Sequence, residues 1–140
     1  KDFSLTNIRT PGIIGPGANP NLVTKLAAQA STGSPIAVSN LGANFNNVVH
    51  ISDLCKFVNH LLLVAPIEGS SSVNLASSKP ITISDMTELI LEFYKSRSRI
   101  IVKEPSTLPY VIDVQKLNKT YNFECLTVTQ TISNFLNGVQ

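Results

Sequence analysis

The sequence NIRTPGIIGPG, residues Asn7–Gly17, is the stretch around which the rest of the chain is arranged. An apolar strand, predicted over Phe3–Arg9, leads into it. A helical pattern leaves it at Asn21, with Asn19 and Pro20 suited to the start of the helix and Gly33 to its end. A strand, a glycine loop and a helix in this order are typical of the turn that holds the phosphates of a dinucleotide.

Three features argue against a phosphate-binding turn. Pro16 has no amide proton, although a phosphate needs backbone donors there. Residues 18–20 separate the last glycine from the helix, so the helix end is not pressed against the loop. No Asp or Glu closes the next predicted strand, Ile36–Ser39, although a ribose-binding carboxylate is expected about 20 residues on. The sequence favours a loop that faces the reactive end of a ligand, or glycines that only serve positive-φ turns.

Length and composition restrict the class of protein. The chain has 140 residues, enough for one domain with a real core, and its net charge is +2. That charge is too small to indicate a nucleic acid or a membrane surface as a partner, and the longest apolar run, Leu61–Ala65, cannot span a membrane. Cys55 and Cys125 have neither disulfide nor metal-site spacing and suit a reducing compartment, so we expect a cytoplasmic protein.

Strands alternate with helices along the rest of the chain. Further strands are predicted over Pro35–Ser39, Val48–Ile51, Val73–Ala76 and Arg99–Lys103. Further helices are predicted over Ser52–Ala65, from Ser84, over Asp113–Lys119 and over Thr127–Gly138. The alternation predicts an α/β fold in which at least some strands are parallel.

The helix predicted over Ser52–Ala65 can be capped by Ser52 or by Asp53. Its predicted buried face consists of Leu54, Val58, Leu61, Leu62 and Ala65. His60 lies opposite that face and is interpreted as a surface histidine, and His50 as a residue packed at the end of a strand.

No catalytic residues are predicted. A nucleophile needs a base beside it, and neither His50 nor His60 accompanies a GxSxG serine. The two histidines also lack metal-ligand spacing, so no metal site is predicted. Asp85, Glu88 and Glu92 follow one solvated helix face and do not form an acid–base pair.

Four segments form an ordered series of motifs. They are Arg9–Pro16, Asn46–Asp53, Val73–Ser77 with Ile81–Ile83, and Asp113–Leu117. The first resembles Arg-x-x-Asn-x-x-Gly-Pro and the second Arg-Asp-(Phe/Tyr)-x-(His/Tyr)-Val-x-Asp. The third resembles a return strand with the entry to a helix, and the fourth Asp-x-x-Lys. In this order they resemble the C-terminal half of the extended short-chain dehydrogenases, the NAD-dependent sugar-nucleotide epimerases and dehydratases.

The resemblance implies the C-terminal part of a Rossmann-type fold, with mixed strands packed against several helices. Residues 1–140 would form a single domain, a substrate-binding lobe plus the last strands of the sheet. The glycine-rich cofactor turn and the Tyr-x-x-x-Lys pair belong to the N-terminal half, which we expect to be absent. The abrupt start at Lys1 suggests a chain cut from something longer. The intact parent would bind NAD or NADP, with Thr10 and Pro11 beside the nicotinamide, and the chain alone would bind neither.

The chain departs from the family at its substrate contacts. Gly12 replaces a substrate-binding asparagine, and Asn46 replaces a phosphate-binding arginine. Lys103 stands near the position of a second arginine and could attract a phosphate. With Asn21 at the helix start, these are the expected substrate-binding residues. Losing two charge-assisted contacts, each worth about 1.5–3 kcal/mol, argues against tight binding of a nucleoside-diphosphate sugar.

The expected function is therefore that of one part of an NAD(P)-dependent epimerase or dehydratase. This part would supply substrate binding and the nicotinamide-facing loop, and it would be inactive alone. The expected partner is a small molecule, a sugar or a sugar nucleotide, and the intact parent could form a homodimer. The alternative is a non-catalytic binding or regulatory module that kept the fold.

Overall fold

The computed structural model describes residues 4–65, 67–105 and 108–138. Its strands are β1 (Ser4–Arg9), β2 (Gly12–Ile14), β3 (Ile36–Val38), β4 (Asn44–Phe45), β5 (Val48–His50), β6 (Gly69–Asn74), β7 (Ile81–Thr82) and β8 (Ile100–Val102). Its helices are α1 (Leu22–Thr32), α2 (Ile51–Leu63), α3 (Ile83–Phe93), α4 (Gln115–Tyr121) and α5 (Val128–Gly138). The predicted α/β fold is confirmed. The predicted first strand began at Phe3, which lies outside the described residues.

The strands pair two by two. Three pairs are parallel, β1 with β6, β2 with β5 and β3 with β8, and the pair of β4 with β7 is antiparallel. The prediction of partly parallel pairing is thus confirmed.

Four strands were missed or misplaced, among them the two-residue strands β4 and β7. β2 lies inside the stretch predicted as a glycine loop, and β6 begins at Gly69, whereas the predicted strand began at Val73. Residues 70–72 of β6 are serines, so the strand has no apolar pattern that sequence analysis could detect. It pairs with β1 through backbone groups.

Two hydrophobic cores organise the chain. The first lies among α1, α3, α5 and β3, and we call these elements with β8 the closed lobe. Its buried residues include Ile14, Leu26, Ile36, Met86, Ile90, Ile132 and Leu136. The second lies where α2 and α4 pack on one face of the β1–β6 pair, and we call these four elements the open lobe. Its buried residues are Val49, Phe57, Val73, Leu75, Leu117, Tyr121 and Cys125.

Strand β5 joins the two cores. Val48 packs in the core of the closed lobe and Val49 in the core of the open lobe. Consecutive side chains of a strand point to opposite faces, so one strand can serve both. The loop of residues 10–21 and the start of α2 meet at this junction, and the site described below lies there.

Several helix caps differ from the prediction. Asn21, not Asn19, caps α1 in a capping box with Thr24. Thr82, not Ser84, caps α3 in a second capping box with Asp85. Neither Ser52 nor Asp53 caps α2: the His50 ring accepts from the Ser52 N–H instead, at 3.2 Å. Each true cap lies in extended backbone just before the first helical turn, which sequence spacing does not locate to within a residue.

Helix α2 buries a different face from the one predicted. Its fully buried residues are Asp53 and Phe57, whereas Val58 is 43% and Leu62 is 78% exposed. His60 is not a surface histidine, because its Nε2 lies 2.7 Å from the Tyr121 carbonyl oxygen and its ring packs near Phe57. By contrast, two other core faces are predicted correctly by helical spacing, and both pack in the first core. They are Met86, Leu89, Ile90 and Phe93 of α3, and Val128, Ile132, Phe135 and Leu136 of α5.

Among the residues that the structure describes, no helix combines the length and the apolar character needed to cross a membrane.

Candidate functional site

A groove of about 390 Å³ runs along the loop that follows β1. It is lined by residues Pro11–Asn21 together with Ile51, the first residue of α2. Three of the expected site residues, Pro11, Gly12 and Asn21, are thus brought together on its walls. We call this space the first groove.

The fold requires glycine at one position of the first groove and not at another. A side chain at Gly15 would place its Cβ 2.5 Å from Cγ2 of Ile51, so the loop needs glycine there to lie against α2. Gly12 lies in β2, its φ is not positive, and a Cβ there would lie 3.5 Å from the Asn21 side chain, an ordinary contact. The backbone therefore does not require glycine at position 12. The absent side chain instead leaves space beside Asn21.

Asn21 faces the first groove while it caps α1. Its Oδ1 accepts from the Thr24 N–H at 3.2 Å, and its Nδ2 donates to the Asn19 carbonyl at 3.2 Å. The side chain is therefore held in place by the helix it begins. Helix N-termini present unpaired N–H groups and a partial positive charge, which favours anions.

A second cavity of about 250 Å³ lies on the other side of the start of α1. Its walls include Leu22, the segment from Ala37 to Asn40 after β3, and the loop of Leu108, Pro109 and Tyr110. Oδ1 of Asn47, on its wall, is buried and accepts no hydrogen bond from the described residues. That oxygen is itself closed to the cavity, so the residue contributes to the wall through its other atoms.

A third groove of about 350 Å³ shares one lining residue with each of the first two spaces. Its lining includes Thr10 and Pro11 from the loop after β1 and Tyr110–Asp113 from the opposite loop. Pro11 is shared with the first groove and Tyr110 with the second cavity. The three spaces therefore adjoin, and an extended ligand could occupy more than one of them.

Asn46 has a structural role that the sequence did not reveal. It is 1% exposed, and its Nδ2 donates to the Ile112 carbonyl at 2.9 Å while its Oδ1 accepts from the Ile112 N–H at 2.8 Å. A further bond runs from Nδ2 to the Ser77 carbonyl at 3.3 Å. These bonds use the amide, so Asn46 positions the loop that walls the second cavity and is not free to contact a substrate.

Lys103 lies apart from the three spaces. Its N–H donates to the Val38 carbonyl at 2.8 Å, and it is exposed just beyond β8. Among the described residues, it is not one of those that line either groove or the second cavity. A phosphate contact by Lys103 stays a prediction.

The remaining polar residues near α2 are engaged in structure. The carboxylate of Asp53 accepts from the Leu126 N–H at 2.9 Å, which corrects its predicted role as a helix cap. Burial, together with the nearby negative charges of Asp53 and Glu124, raises the pKa of the Cys125 thiol to about 12. The thiol therefore stays protonated and is a poor nucleophile.

Metal ligands do not converge in the part of the chain that the structure describes. No three or more His, Cys, Asp or Glu side chains lie there in a group that could hold an ion.

The sequence missed several residues of the site, among them Leu22, Asn47 and Tyr110. Leu22 is the first residue of α1 and Tyr110 follows Pro109, and local pattern gives neither of them a function. The pair Asn46–Asn47 contained a usable signal, since neighbouring residues beside a strand point to opposite sides. One amide is buried against Ile112, and the other is left at the cavity.

No protein-family model and no curated protein sequence matches the chain, whereas its fold matches solved structures. Epimerase Mth375 from Methanothermobacter thermautotrophicus superposes with a TM-score of 0.80 at 13% identity, covering 96% of this chain and 42% of that one. MoeE5, solved with UDP-glucose and NAD, gives 0.78 at 16%, with 97% and 47% covered. A dTDP-glucose 4,6-dehydratase from Bacillus anthracis str. Ames, solved with NAD, gives 0.74 at 18%, with 94% and 43% covered.

This chain thus spans less than half the length of these structural neighbours. Nearly all of it is matched, and the neighbours are Rossmann-type enzymes of the kind that the sequence motifs resemble. The expected resemblance is confirmed at the level of the fold. The chain has the fold of a part, somewhat under half, of an NAD-dependent epimerase or dehydratase.

Proposed function

We propose that this chain is the substrate-binding part of an NAD(P)-dependent enzyme of the epimerase or dehydratase type, with a sugar nucleotide as substrate. It would comprise the substrate lobe and the last strands of a Rossmann-type sheet, with the cofactor-binding part supplied elsewhere. The observation that carries the proposal is that three neighbouring spaces share the wall residues Pro11 and Tyr110 near the start of α1.

The chemistry of the walls suggests how such a ligand lies. A flat base suits the second cavity, where Leu22 and Tyr110 offer apolar surface and Asn47 lines the wall. Phosphates suit the nearby N-terminus of α1. The sugar would then lie in the first groove, where the missing side chain of Gly12 leaves space beside Asn21.

The cofactor would meet only a small part of this chain. Thr10 and Pro11 would border the nicotinamide, which when bound accepts or returns a hydride. Pro11 and Pro16 lack backbone donors, so the loop fits the nicotinamide end better than a phosphate. Within the chain we assign no proton-transfer residue, because His50 and His60 are both engaged in structural hydrogen bonds.

The same features indicate weak binding by the chain alone. Asn46 carries no charge and is buried against Ile112, and Lys103 lies outside the cavities. We therefore expect a dissociation constant for UDP of about 1 mM, equivalent to about 4 kcal/mol.

Titration of the chain with UDP, followed by backbone amide NMR shifts, tests the proposal. The expected shifts are concentrated at Leu22, Asn47 and the loop before Ile112, and inorganic diphosphate should not reproduce those at Asn47. Asn47→Leu should weaken UDP binding several-fold, whereas Asn59→Leu, on the exposed side of α2, should not. Shifts confined to Lys95–Lys103, or equal effects of the two variants, would contradict the proposal.

A second candidate, a non-catalytic binding module, is favoured by one observation. The position expected to carry a phosphate-binding arginine holds Asn46, whose side chain is fully used in fixing a loop. The two candidates differ in turnover. Oxidation or epimerisation of any sugar nucleotide by the assembly of this chain with a cofactor-binding part would exclude the non-catalytic one.

Two properties of the protein itself follow from the proposal. Both cysteines are free thiols, Cys55 exposed and Cys125 buried, which suits a reducing compartment. We therefore propose a cytoplasmic enzyme whose intact form could be a homodimer.

A further inference from the structure

The positive charge of the chain is concentrated in ten residues. Residues 95–104 contain four of its eleven Lys and Arg side chains and a single acid, a net charge of +3. The other 130 residues contain seven basic and eight acidic side chains, a net charge of −1. The small net charge of the whole chain therefore does not reveal how unevenly the charge is distributed. The four cations are Lys95, Arg97, Arg99 and Lys103, and we call them the basic surface.

The side chains of the basic surface are exposed and have no counter-charge. All four residues are exposed, in the segment that leads from α3 through β8. Among the described residues, none of the four has a carboxylate oxygen within 4.0 Å or makes a side-chain hydrogen bond. Neighbouring cations repel one another, so such a cluster favours a partner that supplies negative charge.

The segment before β8 turns its serines inward and Arg97 outward. The Oγ atoms of Ser96 and Ser98 lie 2.9 Å apart, so both side chains are on the same side of the backbone. Ser98 is buried, and its Oγ donates to the Gln29 carbonyl of α1 at 3.5 Å. Arg97, between the two serines, is exposed to solvent.

The pairing of β8 with β3 places two more cations on the outer face of the sheet. Backbone hydrogen bonds to β3 extend the ladder from Arg99 to Lys103. Positions 100 and 102 lie beside the two buried residues of β3 and share their face. Arg99, Ile101 and Lys103 therefore lie on the opposite face, because side chains alternate along a strand. Successive members of this row are about 7 Å apart.

Apolar side chains are exposed beside these charges. All three residues of β8 are apolar and exposed, and the last of them, Val102, is 65% exposed. Leu108 and Tyr110, in the loop that follows, are 90% and 67% exposed. Both lie near the Lys103 end of β8, because they line the second cavity with Val38, whose carbonyl accepts from the Lys103 N–H. Exposed apolar residues among cations are typical of surfaces that bind lipid interfaces.

We propose that the basic surface, together with Val102 and Leu108, binds a membrane surface that carries anionic lipid. The cations would contact the phosphate and carboxylate groups of the lipid headgroups, and Val102 and Leu108 would enter the interface between headgroups and acyl chains. The proposal goes beyond the proposed function, because none of residues 95–104 lines the three spaces of the candidate site.

A lipid surface fits these features better than a nucleic acid or an acidic protein. Residues 95–104 include no aromatic side chain, whereas single-stranded nucleic acids are bound by stacking their bases on aromatic rings. An acidic protein supplies negative charge at fixed positions only. Anionic lipids can move to the cations, and the layer beneath their headgroups accepts apolar side chains.

Co-sedimentation of the 140-residue chain with lipid vesicles tests the proposal. The chain should bind vesicles of phosphatidylcholine with about 30% phosphatidylserine and not vesicles of phosphatidylcholine alone. The double variant Arg97→Gln and Arg99→Gln should partition about 25-fold more weakly, because each cation at an anionic surface contributes about fivefold. The control double variant, Lys116→Gln and Lys119→Gln, removes the same charge from the exposed side of α4 and should weaken partitioning by less than about twofold.

Salt and a further variant separate the two contributions. About 1 M salt, at which the Debye length falls to about 3 Å, should release most of the chain from the vesicles. Val102→Thr keeps a β-branched side chain in the strand and should weaken binding several-fold. Val58→Thr, at a 43% exposed position of α2, is its control and should not.

Three results would overturn the proposal. They are no binding to the anionic vesicles, an equal loss in the two double variants, and binding to a single-stranded oligouridylate as tight as to the vesicles. The last result would make the occupant a nucleic acid. Circular dichroism should show every variant folded, because the substituted side chains are exposed. Failure of UDP to bind would leave the vesicle result unaffected, so the two proposals can fail separately.

Discussion

Helices α3 and α2 differ in what covers their apolar faces. In the closed lobe, Met86 and Ile90 of α3 are fully buried against α1 and α5. In the open lobe, Leu62 and Leu63 of α2 are each 78% exposed. The pattern of each helix predicts burial equally well. The difference teaches that an amphipathic pattern alone does not tell which of a helix's apolar side chains are buried, because that depends on which elements pack against the helix.

The largest effect should come from removing a core side chain of the closed lobe. Ile132→Ala leaves a cavity where the side chain is fully buried, and we expect a loss of about 2–5 kcal/mol in the free energy of unfolding. Urea denaturation of the chain measures it. Leu62→Ala is the matched control in the open lobe and should change stability by less than about 0.5 kcal/mol. If both variants lost several kcal/mol, the two lobes would not differ in the way described.

The junction of the lobes can be tested at the glycines of the first groove. Gly15→Ala forces a Cβ to within 2.5 Å of Ile51, and we expect it to cost about 1–3 kcal/mol. Gly12→Ala meets only ordinary contacts and should be nearly neutral. Thermal unfolding of the two variants gives the comparison. A large loss at Gly12 would show that glycine is needed there for the fold and not for ligand space.

Asn46 connects the closed lobe to the loop that leads into α4. Asn46→Ala would leave the N–H and the carbonyl of Ile112 without their partner, at a cost of about 1–3 kcal/mol. Asn74→Ala removes one exposed bond, from Nδ2 to the Asp113 carbonyl, and should cost less. Denaturation followed by probes in each lobe shows whether Asn46→Ala also separates their transitions. Coincident transitions with an unchanged midpoint would mean that the hydrogen bonds between Asn46 and Ile112 do not contribute to stability.

The last prediction concerns how the stability of the chain depends on pH through Cys125, which lies in the core of the open lobe. The Cys125 thiol stays protonated in the folded chain up to about pH 12 but ionises near pH 9 once unfolded. The unfolded state therefore loses its proton first, and stability falls as the pH rises through this window, by at most about 1.4 kcal/mol per pH unit. Cys125→Ala should flatten the decline between pH 9 and 10.5, whereas Cys55→Ala, at an exposed thiol, should not.

The sequence predicted those parts of the fold in which local pattern and tertiary packing agree. The faces of α3 and α5, the alternation of strands with helices and the exit of α1 at Gly33 were all foreseen. β6 was misplaced because its pairing is a property of backbone groups, which four residues of Gly and Ser do not disclose. His60 was misjudged because its partner, the Tyr121 carbonyl, is 61 positions away and no local rule indicates it.

The candidate site was predicted in part for the same reason. Pro11, Gly12 and Asn21 lie close in sequence, and the structure brings them to one groove. Asn46 and Lys103 depended on distant segments, and their environments could not be deduced locally. The amide of Asn46 is taken up by a residue 66 positions later. Asn47, one residue on, has a buried oxygen without a hydrogen-bond partner among the described residues, and no local pattern distinguishes it from Asn46.

The position of β5 has a mechanical consequence. Val48 and Val49 are anchored in different cores, and His50 continues without a break into α2. A displacement of this three-residue strand is therefore transmitted to both sides at once. Ile51, the residue after His50, lines the first groove. A ligand bound there is consequently expected to raise the stability of both cores together, because it binds the folded segment that joins them.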